Sequence, residues 1–335
     1  MSTLSRFWSQ SFRIPKPTLT EANLPDQIDR VTIITGGYAG VGYELSKIIY
    51  QRNGTIYIAG RSPGKAEKAI QAIRAAHPNS TGTMEFLLLD LGDLRGIKKS
   101  AEAFLAKERR LDVLVNNAGV MHTPLGSKDA QGHELQIGTN CVGHYLFTKL
   151  LTPLLQSTAT SSLPGSVRVL WAGSLGIDVQ SPSNGGFDIK ADGTPIPSTS
   201  RTMNNYGMSK VGNLFFASQF AVRFPIDKDG KGVVSLCFSP GNLRTELQRE
   251  LGGLYTRVLD SCMLYPAILG GYTELYAGWA EEAGRKENNG GYVIPWGRIS
   301  DVRADVQKEV DAGKNGEGKA VKLWEWCERE TKAYL

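Results

Sequence analysis

Val31-Thr32-Ile33-Ile34-Thr35-Gly36-Gly37-Tyr38-Ala39-Gly40-Val41-Gly42 opens as a β-branched run and closes as a glycine turn. Its first five residues have the length and content of a buried strand. Leu45, Ile48 and Ile49 follow at helical spacing, so the order is strand, turn, helix. Glycines at 36, 40 and 42 let the backbone turn tightly. They also let an anion approach the amides of a helix N-terminus, where the dipole favours negative charge. A plain tight turn is the alternative. The placement between a strand and a helix favours the pyrophosphate of a dinucleotide.

The same alternation continues along the chain. A second strand, Thr55 to Ala59, ends at Gly60-Arg61. Dinucleotide folds often carry an acid here to hold the adenosine ribose 2′-hydroxyl. Arg61 stands in that place with Lys65 nearby, which suits a 2′-phosphate and argues for NADP over NAD; otherwise Arg61 is an exposed strand-end residue. A helix from about Lys65 to Ala76 precedes a third strand, Met84 to Leu89, that ends in Asp90-Leu91. A carboxylate at that edge meets an adenine or else caps the next helix, a role for which Asp93 competes. A fourth strand, Leu111 to Val115, runs into Asn116-Asn117-Ala118-Gly119, small enough for a ribose to lie against the backbone. The pace implies a parallel sheet with right-handed crossovers: a Rossmann-type, doubly wound α/β fold with helices on both faces.

Glu134 to Leu155 reads as one helix broken near Pro153. Asn140 is unfavourable inside a helix, which points to a use for its amide or a local distortion, or simply to a partly buried polar residue. Ser166 to Ala172 is a fifth strand, followed by Gly173-Ser174 at the edge where open α/β sheets place chemistry; a turn serine is the alternative. Gly176 to Asn205 is a long Ser/Pro/Gly-rich loop, of the kind that is functional or mobile. Tyr206-Gly207-Met208-Ser209-Lys210 then opens a helix with phenol and ammonium on one face. A cation beside a phenol favours phenolate, and such a tyrosine can give or take a proton at an alcohol or carbonyl oxygen; a solvated helix face is the plainer reading. A sixth strand, Gly232 to Phe238, leads to Ser239-Pro240-Gly241-Asn242-Leu243-Arg244-Thr245, a turn suited to a nicotinamide. From Glu246 to Trp296 the pattern is helical and closes with a short strand around Tyr292 to Ile294. Residues 304–335 read as charged helices around Gly313-Lys314-Asn315-Gly316.

The totals exclude several classes. The chain has 335 residues, 41% hydrophobic and 21% charged, an ordinary globular composition. A formal charge of +5 without a basic, aromatic run argues against nucleic-acid binding. Four scattered cysteines and four scattered histidines form neither a metal motif nor a disulfide framework, consistent with a reducing, cytoplasmic setting. Met1 to Pro17 lacks a secretory h-region and reads as a strap across the surface, with contact at a membrane surface as the alternative. Cys262 to Ala280 contains Glu274 and paired glycines, so it reads as a buried or pocket-lining helix rather than a bilayer span. No repeat or linker divides the chain. One catalytic domain is expected over 1–335: a core over about 30–245, a substrate-loop insertion over about 176–205, and a substrate lid with a C-terminal helical extension over about 246–335.

Thr35-Gly36-x-x-x-Gly40-x-Gly42, Asn116-Asn117-Ala118-Gly119, Asn140, Ser174, Tyr206-x-x-x-Lys210 and Pro240-Gly241 occur in the order seen in short-chain dehydrogenases/reductases, which the chain resembles from about Arg30 to Thr245. The insertion after Ser174 and Trp296-Gly297-Arg298 look like the retinol-dehydrogenase-like branch, most of all its fungal members, which often serve secondary metabolism. The resemblance implies Tyr206 as general acid/base and Lys210 on the nicotinamide ribose. It implies Ser174 on the substrate oxygen and Asn140 holding a water in a proton relay. It also implies cofactor contacts from Thr35, Gly36, Gly40, Val41, Gly42, Arg61, Asp90, Leu91, Asn116, Ala118, Gly119, Tyr206, Lys210, Pro240, Gly241, Leu243 and Thr245. Ala172-Gly173-Ser174 replaces a commoner double serine and Thr139 a commoner valine; neither removes a catalytic group.

The expected activity is NADP(H)-dependent hydride transfer with a small hydrophobic ketone, aldehyde or secondary alcohol. Leu251, Leu254, Tyr255, Met263, Leu264 and Tyr265 line a greasy pocket or belong to the core. An NADP-assisted isomerase or cyclase on the same scaffold is an alternative, as is a dinucleotide-binding regulator without turnover. The family often dimerises through the Tyr206 helix, so a homodimer is expected, or a monomer if the C-terminal additions block that face.

Overall fold

The structure, a computed structural model, describes residues 2–244 and 264–335. Its central sheet is built from β1 (Val31–Thr35), β2 (Thr55–Gly60), β3 (Thr83–Leu88), β4 (Val113–Asn116), β5 (Arg168–Ala172), β6 (Val234–Phe238), β7 (Tyr292–Ile294) and β8 (Arg298–Ser300). The strand order is β3-β2-β1-β4-β5-β6-β7-β8. Every neighbouring pair is parallel except β7 and β8, which form an antiparallel edge. The order reverses between β1 and β4, the point at which open α/β sheets bind ligands beyond their strand C-termini.

β1, β4, β5 and β6 are buried throughout because helices cover both faces, which is why they read as continuous apolar runs. Side chains alternate between two cores. Ile34 and Val115 face α2 (Gly40–Gln51), α3 (Pro63–Ala76) and α9 (Ala267–Trp279). Ile33 and Leu114 face α4 (Leu94–Leu105), α6 (His144–Ser161) and α8 (Thr202–Arg223). Before β1 lies α1 (Thr3–Ser11); α7 (Gly176–Val179) follows β5.

Several elements depart from the sequence reading. The helix expected from Glu134 is three pieces: α5 (Leu135–Ile137), a π-helical segment over Gly138–Gly143, and α6. Pro153 does not break α6, which continues to Ser161 and buries Leu151, Leu155 and Ala159; that burial outweighs one missing backbone hydrogen bond. Asp93, not Asp90, caps α4, accepting from Arg95 N at 3.1 Å. Within the stretch read as helical up to Trp296, the described residues form α9, two short 3₁₀ turns and β7. The charged tail is α10 (Ala304–Lys314) and α11 (Gly318–Thr331), whose Val306, Val310, Ala320, Leu323 and Trp324 join the core over the outer face of α8. Among the described residues no helix is long and apolar enough to cross a membrane.

Candidate active site

The glycine turn after β1 is stitched to the turn after β4. Thr35 Oγ1 accepts from Asn117 N and Ala118 N, both at 2.9 Å, and Asn117 Nδ2 donates to Thr35 O at 2.8 Å. Gly36 and Gly40 have φ of +69° and +55°, a left-handed region that side chains rarely adopt. A Cβ on Gly42 would lie 2.6 Å from Asn117 Nδ2 and 2.9 Å from Gly36 O. Ala39, at the N-cap of α2, supplies no side-chain hydrogen bond, so the first amides of that helix have no side-chain cap. A cradle that excludes side chains and presents uncapped amides fits a pyrophosphate. Arg61 is exposed at the end of β2 with no ion pair among the described residues. A Cβ on Gly60 would lie 2.4 Å from the Tyr38 ring, so Tyr38 packs over the same strand end.

Other expected contacts divide. Asp90 is exposed at the sheet edge, its Oδ1 accepting from Gly92 N at 2.9 Å. Leu91 is buried, and Gly143 of the π-helical segment presses against its backbone, with a Cβ there falling 2.4 Å from Leu91 O. Asn116 is fully buried and donates to Thr148 Oγ1 at 2.9 Å, a brace rather than a surface. Val41 and Leu243 form a small apolar cluster with Trp296. Pro240 and Gly241 follow β6; Gly241 has φ +94°, and the Trp296 ring lies 2.6 Å from where its Cβ would be. Thr245, with Leu251, Leu254, Tyr255 and Met263, lies outside the described residues.

The candidate catalytic side chains converge where β4, β5 and α8 meet. Lys210 Nζ sits 5.4 Å from the centre of the Tyr206 ring and donates to Ala172 O at 3.0 Å, which anchors an ammonium only 5% exposed. Asn213 Nδ2 shares that carbonyl at 2.8 Å. Ser174 Oγ accepts from Gly176 N at 3.0 Å, and Tyr292 donates its hydroxyl to Ser174 O at 3.1 Å. The position a Cβ would take on Gly176 lies 3.3 Å from Tyr206 Cε1 and 3.4 Å from Ser174 Oγ, so both groups border one small space. Likewise a Cβ on Gly119 would lie 3.0 Å from Asn140 Oδ1 and 3.6 Å from Lys210 Nζ.

Asn140 carries both features its position called for, a local distortion and a use for its amide. The π-helical segment turns it toward the β4 loop, where Oδ1 accepts from Val120 N at 2.8 Å. Its Nδ2 donates to Val120 O and to Ser209 Oγ, both at 3.0 Å. The amide is thus occupied by protein; any water would use the backbone carbonyl. That carbonyl already accepts from His144 Nδ1 at 3.1 Å, leaving a second lone pair. With its proton on Nδ1, His144 accepts at Nε2 from Thr35 Oγ1 at 3.0 Å. Burial lowers the imidazole pKa to about 4, so His144 stays neutral.

Segments beyond the shared motifs hold this geometry. α1 packs polar side inward: Gln10 Nε2 donates to Asp178 Oδ2 at 2.9 Å, and Arg6 Nε lies 3.9 Å from Asp178 Oδ1. Burial nonetheless raises the Asp178 pKa above the ordinary carboxylate range. Arg303 donates to the carbonyls of Asp178 and Ser181, at 3.1 and 3.3 Å, holding α7 from the other side. Tyr38, His144 and the α1 contacts were not legible as site residues. Only His144, four residues from Asn140 and hence on its face, carried a signal.

Comparison with known proteins points to a family. The family model described as short chain dehydrogenase matches residues 30–163. A short-chain dehydrogenase/reductase from Phomopsis amygdali is 41% identical over 338 residues, covering 100% of this chain and 98% of its own. One from Pestalotiopsis fici is 42% identical over 340 residues, covering 100% of both. Among solved structures, an uncharacterised protein from Mycobacterium paratuberculosis is 26% identical with a TM-score of 0.65, covering 94% of this chain and 97% of that one. Two others share the fold at 19% identity: RhlG from Pseudomonas aeruginosa in complex with NADP, and a 3-ketoacyl-(acyl-carrier-protein) reductase from Brucella melitensis complexed with NADH. Their TM-scores are 0.60 and 0.59; they cover 80% and 81% of this chain, and 95% and 98% of their own.

Proposed function

This chain belongs to the short-chain dehydrogenase/reductase family of oxidoreductases, and from that premise we propose that it is an NADPH-dependent reductase of a hydrophobic ketone or aldehyde. The observations that carry the reading are the approach of Tyr206 and Ser174 to one side of Gly176 and the placement of Lys210 Nζ 5.4 Å from the Tyr206 ring centre.

A bound NADPH supplies the hydride. The protein's part is to place the carbonyl and its proton. Ser174 Oγ accepts from Gly176 N, so its own proton remains to donate to the substrate oxygen. Tyr206 donates the second hydrogen bond and transfers its proton as the oxygen becomes alkoxide. Lys210, immobilised by Ala172 O, offsets the charge then left on Tyr206 and stands ready for the nicotinamide ribose. Asn140 keeps the β4 loop and α8 in register, tying Val120 to Ser209 one residue from Lys210. Exposed Arg61 supports NADP over NAD, since a 2′-phosphate would find a cation and no competing carboxylate there. The cover of α10 and α11 over α8 supports a monomer. The fungal sources of the relatives fit a role in secondary metabolism.

The test is NADPH oxidation across a panel of hydrophobic ketones and aldehydes, beside Tyr206→Phe. The variant should lose turnover, with NADPH binding retained as read by cofactor fluorescence. A variant that turns over like the wild type defeats the mechanism.

A further inference from the structure

α1 is folded with its polarity reversed. Its inward side chains are polar: Arg6 is 5% exposed and Gln10 2%. Leu4 and Trp8 are 74% and 57% exposed. Two residues along an α-helix make about 200° of turn, so Leu4 and Trp8 lie opposite Arg6 and Gln10. A surface helix ordinarily turns its apolar stripe to the core. Here the body of the protein takes the polar stripe. Besides the contacts of Gln10 and Arg6 with Asp178, Arg6 donates to Asp301 O and Arg298 donates to Ser9 O at 2.8 Å. At the far end, Asn242 Nδ2 donates to Ser11 Oγ at 2.9 Å and the Tyr265 hydroxyl donates to Ser11 O at 3.0 Å. These bonds fix the helix to the fold and hold its apolar face outward. Trp8 packs on half-buried Phe12 with ring centres 4.6 Å apart, and Phe7 meets Phe12 edge-on at 6.0 Å. Leu4 continues that patch one turn back from Trp8.

The charge beside the patch has one sign. Residues 1–20 hold Arg6, Arg13 and Lys16 and no Asp or Glu. Arg6 is spent on the interior, whereas Arg13 and Lys16 are exposed just past the patch. Outward Leu and Trp beside exposed cations suit a lipid interface: the apolar groups enter the acyl boundary and the cations stay among anionic headgroups. Size argues the same way. α1 has nine residues, so its footprint is about 14 Å by about 10 Å, roughly 140 Å². Each partner in a standard protein interface gives about 800 Å². A second copy or another protein seated on α1 would therefore gain too little, while shallow insertion needs only a few apolar side chains. We infer that α1 docks the protein on a bilayer that carries anionic headgroups, lying in its plane without crossing it. α1 packs on α7, which directly follows the Ser174 turn, so the docked helix is held against a segment of the proposed active site. The docking itself does not depend on the reductase reading.

The experiment is co-sedimentation of the full chain with vesicles at physiological ionic strength, without cofactor or substrate. One set is phosphatidylcholine alone; the other is an equimolar mixture of phosphatidylcholine and phosphatidylserine. The wild type should bind the mixed vesicles about tenfold or more tighter, the scale of two cations near an anionic surface. Leu4→Ser with Trp8→Ser should weaken that binding by about tenfold or more, because two apolar side chains no longer enter the lipid. Both residues face outward, so the double variant should keep the wild-type urea midpoint. Arg13→Gln with Lys16→Gln lies outside α1 and should bring the two vesicle types toward parity, which tests the proposal even if the first pair disturbs folding. A wild type that sediments with neither vesicle overturns the inference, and so does one that binds both equally. Binding to mixed vesicles that neither pair of substitutions weakens places the contact elsewhere and also overturns it. So does a dimer, seen without vesicle binding, that Leu4→Ser with Trp8→Ser dissolves.

Discussion

Glu274 lies mid-way along α9, fully buried, and neither carboxyl oxygen has a hydrogen-bond partner among the described residues. Burial alone raises its pKa well above the ordinary 4.5, because an unpaired carboxylate is poorly solvated there. The folded pKa therefore exceeds the unfolded one. The fold holds a proton that the unfolded chain gives up, so this contribution is intact below pH 4.5 and is lost as pH rises toward the folded pKa. Each pH unit in that window costs the fold about 1.4 kcal/mol. Two pH units above the unfolded value, a fold that still holds the proton has lost about 3 kcal/mol. Glu274→Gln keeps the shape and cannot ionise. The stability gap between variant and wild type should thus widen from a small offset at pH 4.5 to about 3 kcal/mol in favour of the variant at pH 6.5. Urea titrations at pH 4.5, 5.5 and 6.5, followed by tryptophan fluorescence and extrapolated linearly to water, give the gap at each pH. Any packing difference of the amide appears as a constant offset, so the slope against pH is the readout. A gap that stays constant across the range refutes a buried, neutral Glu274.

Arg61→Ala should weaken NADPH binding by about tenfold or more and leave NADH nearly unchanged, since only the former offers a phosphate for a charge-assisted pair; equal effects on both cofactors in a fluorescence titration would leave Arg61 as a surface residue. Gly42→Ala puts a methyl 2.6 Å from Asn117 Nδ2 in the cradle, so dinucleotide affinity should collapse; unaltered affinity would move the pyrophosphate elsewhere. Trp324, 5% exposed and 4.9 Å between ring centres from Tyr145, covers α8, and Trp324→Ala should cost about 3–5 kcal/mol in urea denaturation. The wild type should elute as a monomer at micromolar concentration, and a dimer peak would show that α10 and α11 leave an interface open.

The core of the fold was legible because its signals are local. β-branched runs ending in glycine or asparagine turns mark β1, β2, β4 and β5 wherever they lie in space, and Tyr206-x-x-x-Lys210 needs only one helix to bring its groups together. Strand starts were read early: Ser166 for Arg168 and Gly232 for Val234, because a residue leading into a strand looks like the strand until pairing ends it. β8 was missed, being three half-buried residues whose only reason to be extended is β7. The tail read as charged helices because its charges hide a narrow apolar stripe, which α8 then covers.

The sequence by itself thus determined most of the strands, the glycine turn after β1, and the order and identity of the groups proposed for catalysis, since each is marked by residues within a turn or a helix of one another. Only the tertiary structure decided what surrounds them. It spent the Asn140 amide on Val120 and Ser209, brought His144 against Thr35, and set α1 on Asp178. These are contacts between segments far apart in the chain. Their energies come from desolvation and from partners that exist only once the backbone has closed, so no pattern along the chain records them.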